Sequence, residues 1–218
     1  ADFALAVSFL LFPCARPRRG LRRSKKSPRP TVKGSGRATS SRRAARVAMR
    51  LRLKRFDPST IKPHRNILCV GKRGTGKSVL LNDLMYHLCK RVDFALAMTP
   101  TEDSMRMFAQ HIPQCWLYDR FSGAKIDALV ALQRTHAKQC KLRSAFVCLD
   151  DCMYDKSVLK SVSVRDCFMN GRHYHITFAL ALQYCMDMSP DLRSNIDLVF
   201  ALRENIISNK QKLWKFFF

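Results

Sequence analysis

"ILCVGKRGTGKSVLLNDLM", residues 67–85, is an apolar run that breaks into three glycines and then resumes with helical spacing. Within it, Gly71, Lys72, Arg73, Gly74, Thr75, Gly76, Lys77 and Ser78 satisfy G-x-x-x-x-G-K-[ST] between a strand and a helix. Glycines let the backbone turn tightly and bring its N–H groups to phosphates, at a helix N-terminus that already favours anions. In this pattern Lys77 reaches the β- and γ-phosphates and Ser78 ligates Mg²⁺, so ATP with Mg²⁺ is the expected ligand.

Outward from this stretch, strand-like runs alternate with helical patterns. "NILCV" (66–70) is the first strand, and the next helix carries Leu80, Leu81, Leu84, Met85, Leu88 and Val92 on one face. Lys90 and Arg91 close it at the negative end of its dipole. "DFALAMT" (93–99) is a second strand, followed by helices at 102–110 and 122–138, the latter with Ile126, Leu129 and Val130 inward. "AFVCL" (145–149) is a third strand, and a helix from 155 ends at Asn170-Gly171 in an expected left-handed cap. "ITFALAL" (176–182) lacks alternation, which places it between two buried faces. Ser189-Pro190 starts a short helix, "LVFAL" (198–202) is a fifth strand, and a last helix opens after it. Such alternation specifies an α/β domain with a mainly parallel sheet flanked by helices.

A phosphate-binding loop alone does not separate kinases, switches and motors, so a second acidic site matters. "AFVCLDD" delivers Asp150 and Asp151 at the carboxyl end of a buried strand, where ligands gather in open α/β sheets. Asp150 is expected to hold Mg²⁺ through water, and Asp151 to orient and deprotonate the attacking water. An extra strand is expected between this one and the loop's own, as in ATPases that use an additional acidic residue. Gln183 directly follows the fourth strand, where a polar side chain can sense the γ-phosphate. Arg172 and Arg193 sit in strand-edge loops, and either is a candidate arginine finger for a neighbour's site.

The formal charge is +24, and residues 1–65 hold 19 Lys/Arg against only Asp2 and Asp57. A surplus of this kind points to a polyanionic partner, nucleic acid ahead of a membrane surface. From Pro13 to Ser41 the composition is Pro, Arg, Lys, Ser and Gly, a segment expected to be disordered. "VAMRLRLKRF" (47–56) alternates apolar and basic residues, the periodicity of an edge strand. Met49 opens the part that reads as folded, so residues 1–48 are assigned to a basic extension and 49–218 to one domain whose last helix is cut short. Nine cysteines without a C-x-x-C pair suit reduced, buried thiols, and Cys167, His173 and His175 match no common zinc spacing. No stretch reaches the roughly 20 apolar residues that span a bilayer.

Five segments carry a more specific resemblance. "FDPSTIKPHRNILCVGKRGTGKS", "MTPTE", "LDDC", "NGRHYHIT" with "LQY" behind it, and "PDLRSNIDLVFALREN" resemble, in order, the DNA-packaging ATPases of large nucleocytoplasmic DNA viruses. That group is a branch of the FtsK/HerA superfamily, and the resemblance runs from Met49 to Phe218. It implies a RecA-like ASCE P-loop fold, with Lys77 and Ser78 as the Walker A pair, Asp150 and Asp151 as the Walker B pair, and Gln183 as sensor. It further implies ATP-driven translocation of double-stranded DNA into a preformed capsid, by a homo-oligomeric ring working with capsid or portal components. The setting would be the viral factory in the host cytoplasm and the virion. Without the resemblance, a P-loop kinase or nucleotide switch with a basic localisation or nucleic-acid-binding tail also fits the loop.

Overall fold

The structure, a computed structural model, describes residues 55–141, 143–155 and 157–217. The expected basic extension, and the edge strand at 47–56 apart from Arg55 and Phe56, lie outside the described residues; those two are not in a strand. Six strands alternate with helices in the order β1 (Asn66–Val70), α1 (Lys77–Leu88), β2 (Phe94–Met98), α2 (Glu102–Phe108), β3 (Leu117–Tyr118) and α3 (Gly123–Lys138). They continue through β4 (Ala145–Leu149), α4 (Val162–Asn170), β5 (Ile176–Leu182), α5 (Pro190–Ser194), β6 (Leu198–Ala201) and α6 (Ile207–Phe217). Every pairing is parallel, and the sheet order is β3-β2-β4-β5-β1-β6.

The period of two in a strand divides the core. Leu68 and Val70 of β1, Val147 and Leu149 of β4, and Phe178, Leu180 and Leu182 of β5 face one side, where α3, α4 and α5 pack with Ile126, Val130, Val164, Phe168 and Leu192. Ile67 and Cys69, Phe146 and Cys148, and Ala179 and Ala181 face the other, under Leu81, Leu84, Met85 and Leu88 of α1. Fully burying a side chain such as Phe146 contributes about 1.5–3 kcal/mol. Buried polar groups are used to lock the layers. Asn66, at the start of β1, donates its amide to Phe168 O (2.9 Å) and Asn195 O (2.8 Å), joining α4 and the turn before β6 to the central strand.

Two departures from the sequence reading have local causes. The helix expected from 155 is two short 3₁₀ turns, Cys152–Tyr154 and Val158–Lys160, before Ser161 caps α4 by accepting from Val164 N. Gly171 is not left-handed: its φ is −52°, and the chain winds one further turn, with Ile176 N bonded to Gly171 O at 2.8 Å. The left-handed residue is His175, at φ 54°. Glycine is required at 171 by space, because a Cβ there would strike the carbonyl oxygen of Cys167. β3 is a two-residue edge strand and is too short to register as a period. Among the described residues no helix is long and apolar enough to cross a membrane.

Candidate active site

The carboxyl ends of β1, β2, β4 and β5 converge on one edge of the sheet, because all strands run the same way. β5 lies between β1 and β4, so the expected intervening strand is present. The loop leaving β1 turns through Gly74 (φ 75°) and Gly76 (φ 90°), a left-handed region that disfavours any side chain. Gly71 is required for a different reason: a Cβ there would sit 2.6 Å from Thr75 Oγ1 and 2.8 Å from Leu202 Cβ. α1 then begins without a side-chain cap and without an acidic residue in its first turn. Its first amides and the positive end of its dipole are left to an anion from elsewhere.

Lys77 is buried, with 5% of its surface exposed. A buried ammonium is costly unless compensated, and here its Nζ donates to Lys72 O at 3.2 Å and lies 3.9 Å from Asp151 Oδ1. The loop is thus folded around its own cation, held also by Thr75, whose hydroxyl donates to Lys72 O at 2.7 Å. Asp151 follows β4 in a left-handed conformation at φ 51°, uncommon for a residue with a side chain, and its carboxylate meets Lys77. Observed strain of this kind is often stored where a side chain must be aimed.

Asp150 is fully buried. Its Oδ2 accepts from Ser104 Oγ at 3.0 Å, and its Oδ1 has no hydrogen-bond partner. Burial raises its pKa above the usual carboxylate value; the nearby Ser78 side chain opposes this, the Asp151 charge adds to the rise, and Ser104 and Lys77 also oppose it. A buried carboxylate oxygen left without a donor, beside a P-loop serine, fits a hard divalent cation such as Mg²⁺. Among the described residues no group of three or more His, Cys, Asp or Glu stands ready as a metal cage. A magnesium arriving with a nucleotide needs no such cage, since it takes much of its coordination from phosphates and water. Ser78 and Asp150 are the residues that would hold it.

Gln183 is exposed and one peptide bond beyond Leu182, whose carbonyl accepts Gly71 N at 3.0 Å. Strand β5 therefore carries it to the loop's first residue. Arg172 lies before the amino end of β5, the opposite edge of the sheet, and is ion-paired with Asp197, which also binds Arg65 at 3.1 Å. Arg193 lies in α5, stacked 4.6 Å from the Phe216 ring centroid, with Nη1 donating to Met186 Sδ at 3.3 Å. The structure brings Lys72, Lys77, Ser78, Asp150, Asp151 and Gln183 to one edge, places Arg172 at the opposite one, and turns Arg193 to Met186, three residues beyond Gln183.

Sequence reasoning missed a chain of hydroxyls behind Asp150. Thr99 and Thr101 Oγ1 are 3.0 Å apart, Thr101 donates to Ser104 Oγ at 3.1 Å, and Ser104 donates to Asp150. Thr99 and Thr101 follow the carboxyl end of β2, the strand beside β4, so the rule that located Asp150 would have located them too. The eight described cysteines are free thiols, and Cys69 and Cys148 are buried in the sheet, where burial pushes their pKa up.

Among solved structures, the DNA-packaging ATPase B204 of Sulfolobus turreted icosahedral virus superposes with a TM-score of 0.54 at 16% identity, over 72% of this chain and 83% of that one. The genome packaging NTPase B204 of Sulfolobus turreted icosahedral virus 2, in complex with ATP-gammaS, gives 0.53 at 14% identity over the same shares. This chain has their fold. ATPases 2 and 3 of EssC from Geobacillus thermodenitrificans share it as well, with a TM-score of 0.55 at 15% identity over 69% of this chain and 34% of that one. No family model matches the sequence. By sequence the chain is 32% identical over 148 residues to the uncharacterized protein 088R of Invertebrate iridescent virus 3, covering 68% of this chain and 57% of that protein. It is 31% identical over 156 residues to the uncharacterized protein 015R of Frog virus 3, covering 68% and 47%. The chain therefore spans about half the length of these two viral relatives.

Proposed function

We propose that the chain binds and hydrolyses ATP at this edge of the sheet and couples the turnover to movement of double-stranded DNA during viral genome packaging. The observation that carries the ATPase half is the juxtaposition of Lys77, buried in a glycine loop at an uncapped helix start, with a second carboxylate, Asp151, 3.9 Å away. In a P-loop kinase the phosphoryl acceptor is a second substrate; here a carboxylate sits against the loop's own lysine, placed to take a proton from water. The loop amides and Lys77 would bind the β- and γ-phosphates. Gln183, exposed at the adjoining strand end, would orient the water or sense the terminal phosphate. Magnesium would supply charge neutralisation on the phosphates, held through Ser78 and Asp150.

The DNA half is supported by the fold shared with viral packaging ATPases, by relatives in Invertebrate iridescent virus 3 and Frog virus 3, and by a charge of +24. Arg172 lies at the opposite edge of the sheet from the chain's own loop, which suits a finger that serves a neighbouring copy in a ring. Capsid or portal components would complete the machine. Triplex displacement tests the proposal: the chain should release a third strand from duplex DNA only with hydrolysable ATP. Asp151→Asn should keep affinity for a non-hydrolysable analogue within about threefold while losing at least about a hundredfold in hydrolysis. ATP turnover retained in Asp151→Asn would remove that residue as the base.

A further inference from the structure

Glu204 lies outside the chemistry proposed for ATP hydrolysis. It lies three positions beyond the end of β6, with only 8% of its side chain exposed, and its carboxylate receives three donors. Ile206 N donates to Oε1 at 2.9 Å, Asn209 Nδ2 donates to Oε2 at 3.1 Å, and Lys72 Nζ lies 3.3 Å from Oε1. The first two contacts brace the start of α6. The third is different, because Lys72 is the second residue of the phosphate loop, and its carbonyl accepts both Lys77 Nζ and the Thr75 hydroxyl. One residue is therefore gripped at both ends, by Glu204 at the ammonium and by the loop's own donors at the carbonyl. The neighbouring backbone is equally close-set: Leu202 N donates to Val70 O at 2.8 Å, and Gly71 has no room for a Cβ against Leu202.

We propose that Glu204 is a positioning residue for the phosphate loop, acting through Lys72 to hold the loop in its nucleotide-ready shape and tying that shape to the start of α6. The ion pair keeps the Lys72 side chain turned toward β6, so the loop amides and Lys77 alone face the phosphates. Rigid placement before binding reduces the ordering cost of binding. Its effect on affinity rests on the ATP-binding reading; its effect on the loop does not.

The test is a double-mutant cycle with two readouts: affinity for a non-hydrolysable ATP analogue with Mg²⁺, and amide hydrogen exchange across residues 71–76 in the nucleotide-free chain. Glu204→Gln keeps an acceptor for Ile206 N and loses the charge that holds Lys72. It and Lys72→Met should each weaken the analogue about five- to tenfold and speed loop exchange, with the double variant no worse than either single one. Lys72→Arg should hold both readouts near wild type. A purely structural cap of α6 would lower thermal stability with additive effects of the two substitutions, and that additivity overturns the proposal. Wild-type values for Glu204→Gln in both readouts overturn it as well. Should Glu204→Gln not fold, equal loop exchange in Lys72→Met and Lys72→Arg overturns it, and faster exchange in Lys72→Met supports it. If the wild-type chain fails to bind the analogue, the ATP reading falls while the exchange measurement still decides the hold of Glu204 on the loop.

Discussion

Asp150 shows at the residue scale how a site and a fold pull in opposite directions. Its carboxylate is buried with one oxygen unpartnered, and burial raises its pKa above the usual value near 3.8. For an acid whose folded pKa lies above its unfolded one, folding favours the protonated form. The stability linked to that proton is complete below the unfolded value and is lost as pH rises through the folded one. At neutral pH without magnesium, Asp150→Asn should therefore melt higher than wild type, by about 2–4 °C per kcal/mol relieved, as is usual for larger domains. The gap should close as pH falls below the ordinary carboxylate range; a lower melting temperature for Asp150→Asn at pH 7 would contradict the burial argument. Asp150 and Asp151 were legible in sequence because two acids terminate a fully apolar run, and only a strand end explains that abruptness. Ser104 and Glu204 were not, since a lone serine in a helix and a lone glutamate in a loop carry no period. Their roles exist only once β2 lies beside β4 and β6 beside β1.

At the scale of elements, the phosphate loop is held by its neighbours as much as by its own glycines. Gly71 leaves β1 wedged between Thr75 and Leu202, the residue after β6. Gly71→Ala should cost about 1–3 kcal/mol through overpacking and weaken the ATP analogue, read by thermal melting and by binding titration. Unchanged values in both would mean that β6 and the loop are less tightly joined than this geometry requires. Strands β1, β4 and β5 were recognisable from sequence to the residue, because a strand buried on both faces is a short apolar block with polar ends. β3 was not, since two residues make only one repeat of the pleat and show no alternation. The turn after α4 misled because Asn-Gly ordinarily marks a left-handed cap; here the tight approach of Cys167 O selected glycine, and His175 took the positive φ.

For the whole molecule, six parallel strands bring the ends of four chain segments distant in sequence to one edge. That convergence makes the glycine loop a candidate catalytic centre rather than a turn. Movement of DNA by a ring, as proposed, would belong to an assembly larger than one chain. In the proposed motor, ATP hydrolysis is coupled to double-stranded DNA. Phosphate release measured at fixed ATP and Mg²⁺ over a titration with duplex DNA decides whether it is. Turnover should rise with DNA, by about tenfold or more, and vanish in Asp151→Asn at every DNA concentration. Turnover indifferent to DNA, or phosphate transferred to a small acceptor instead of water, would contradict it.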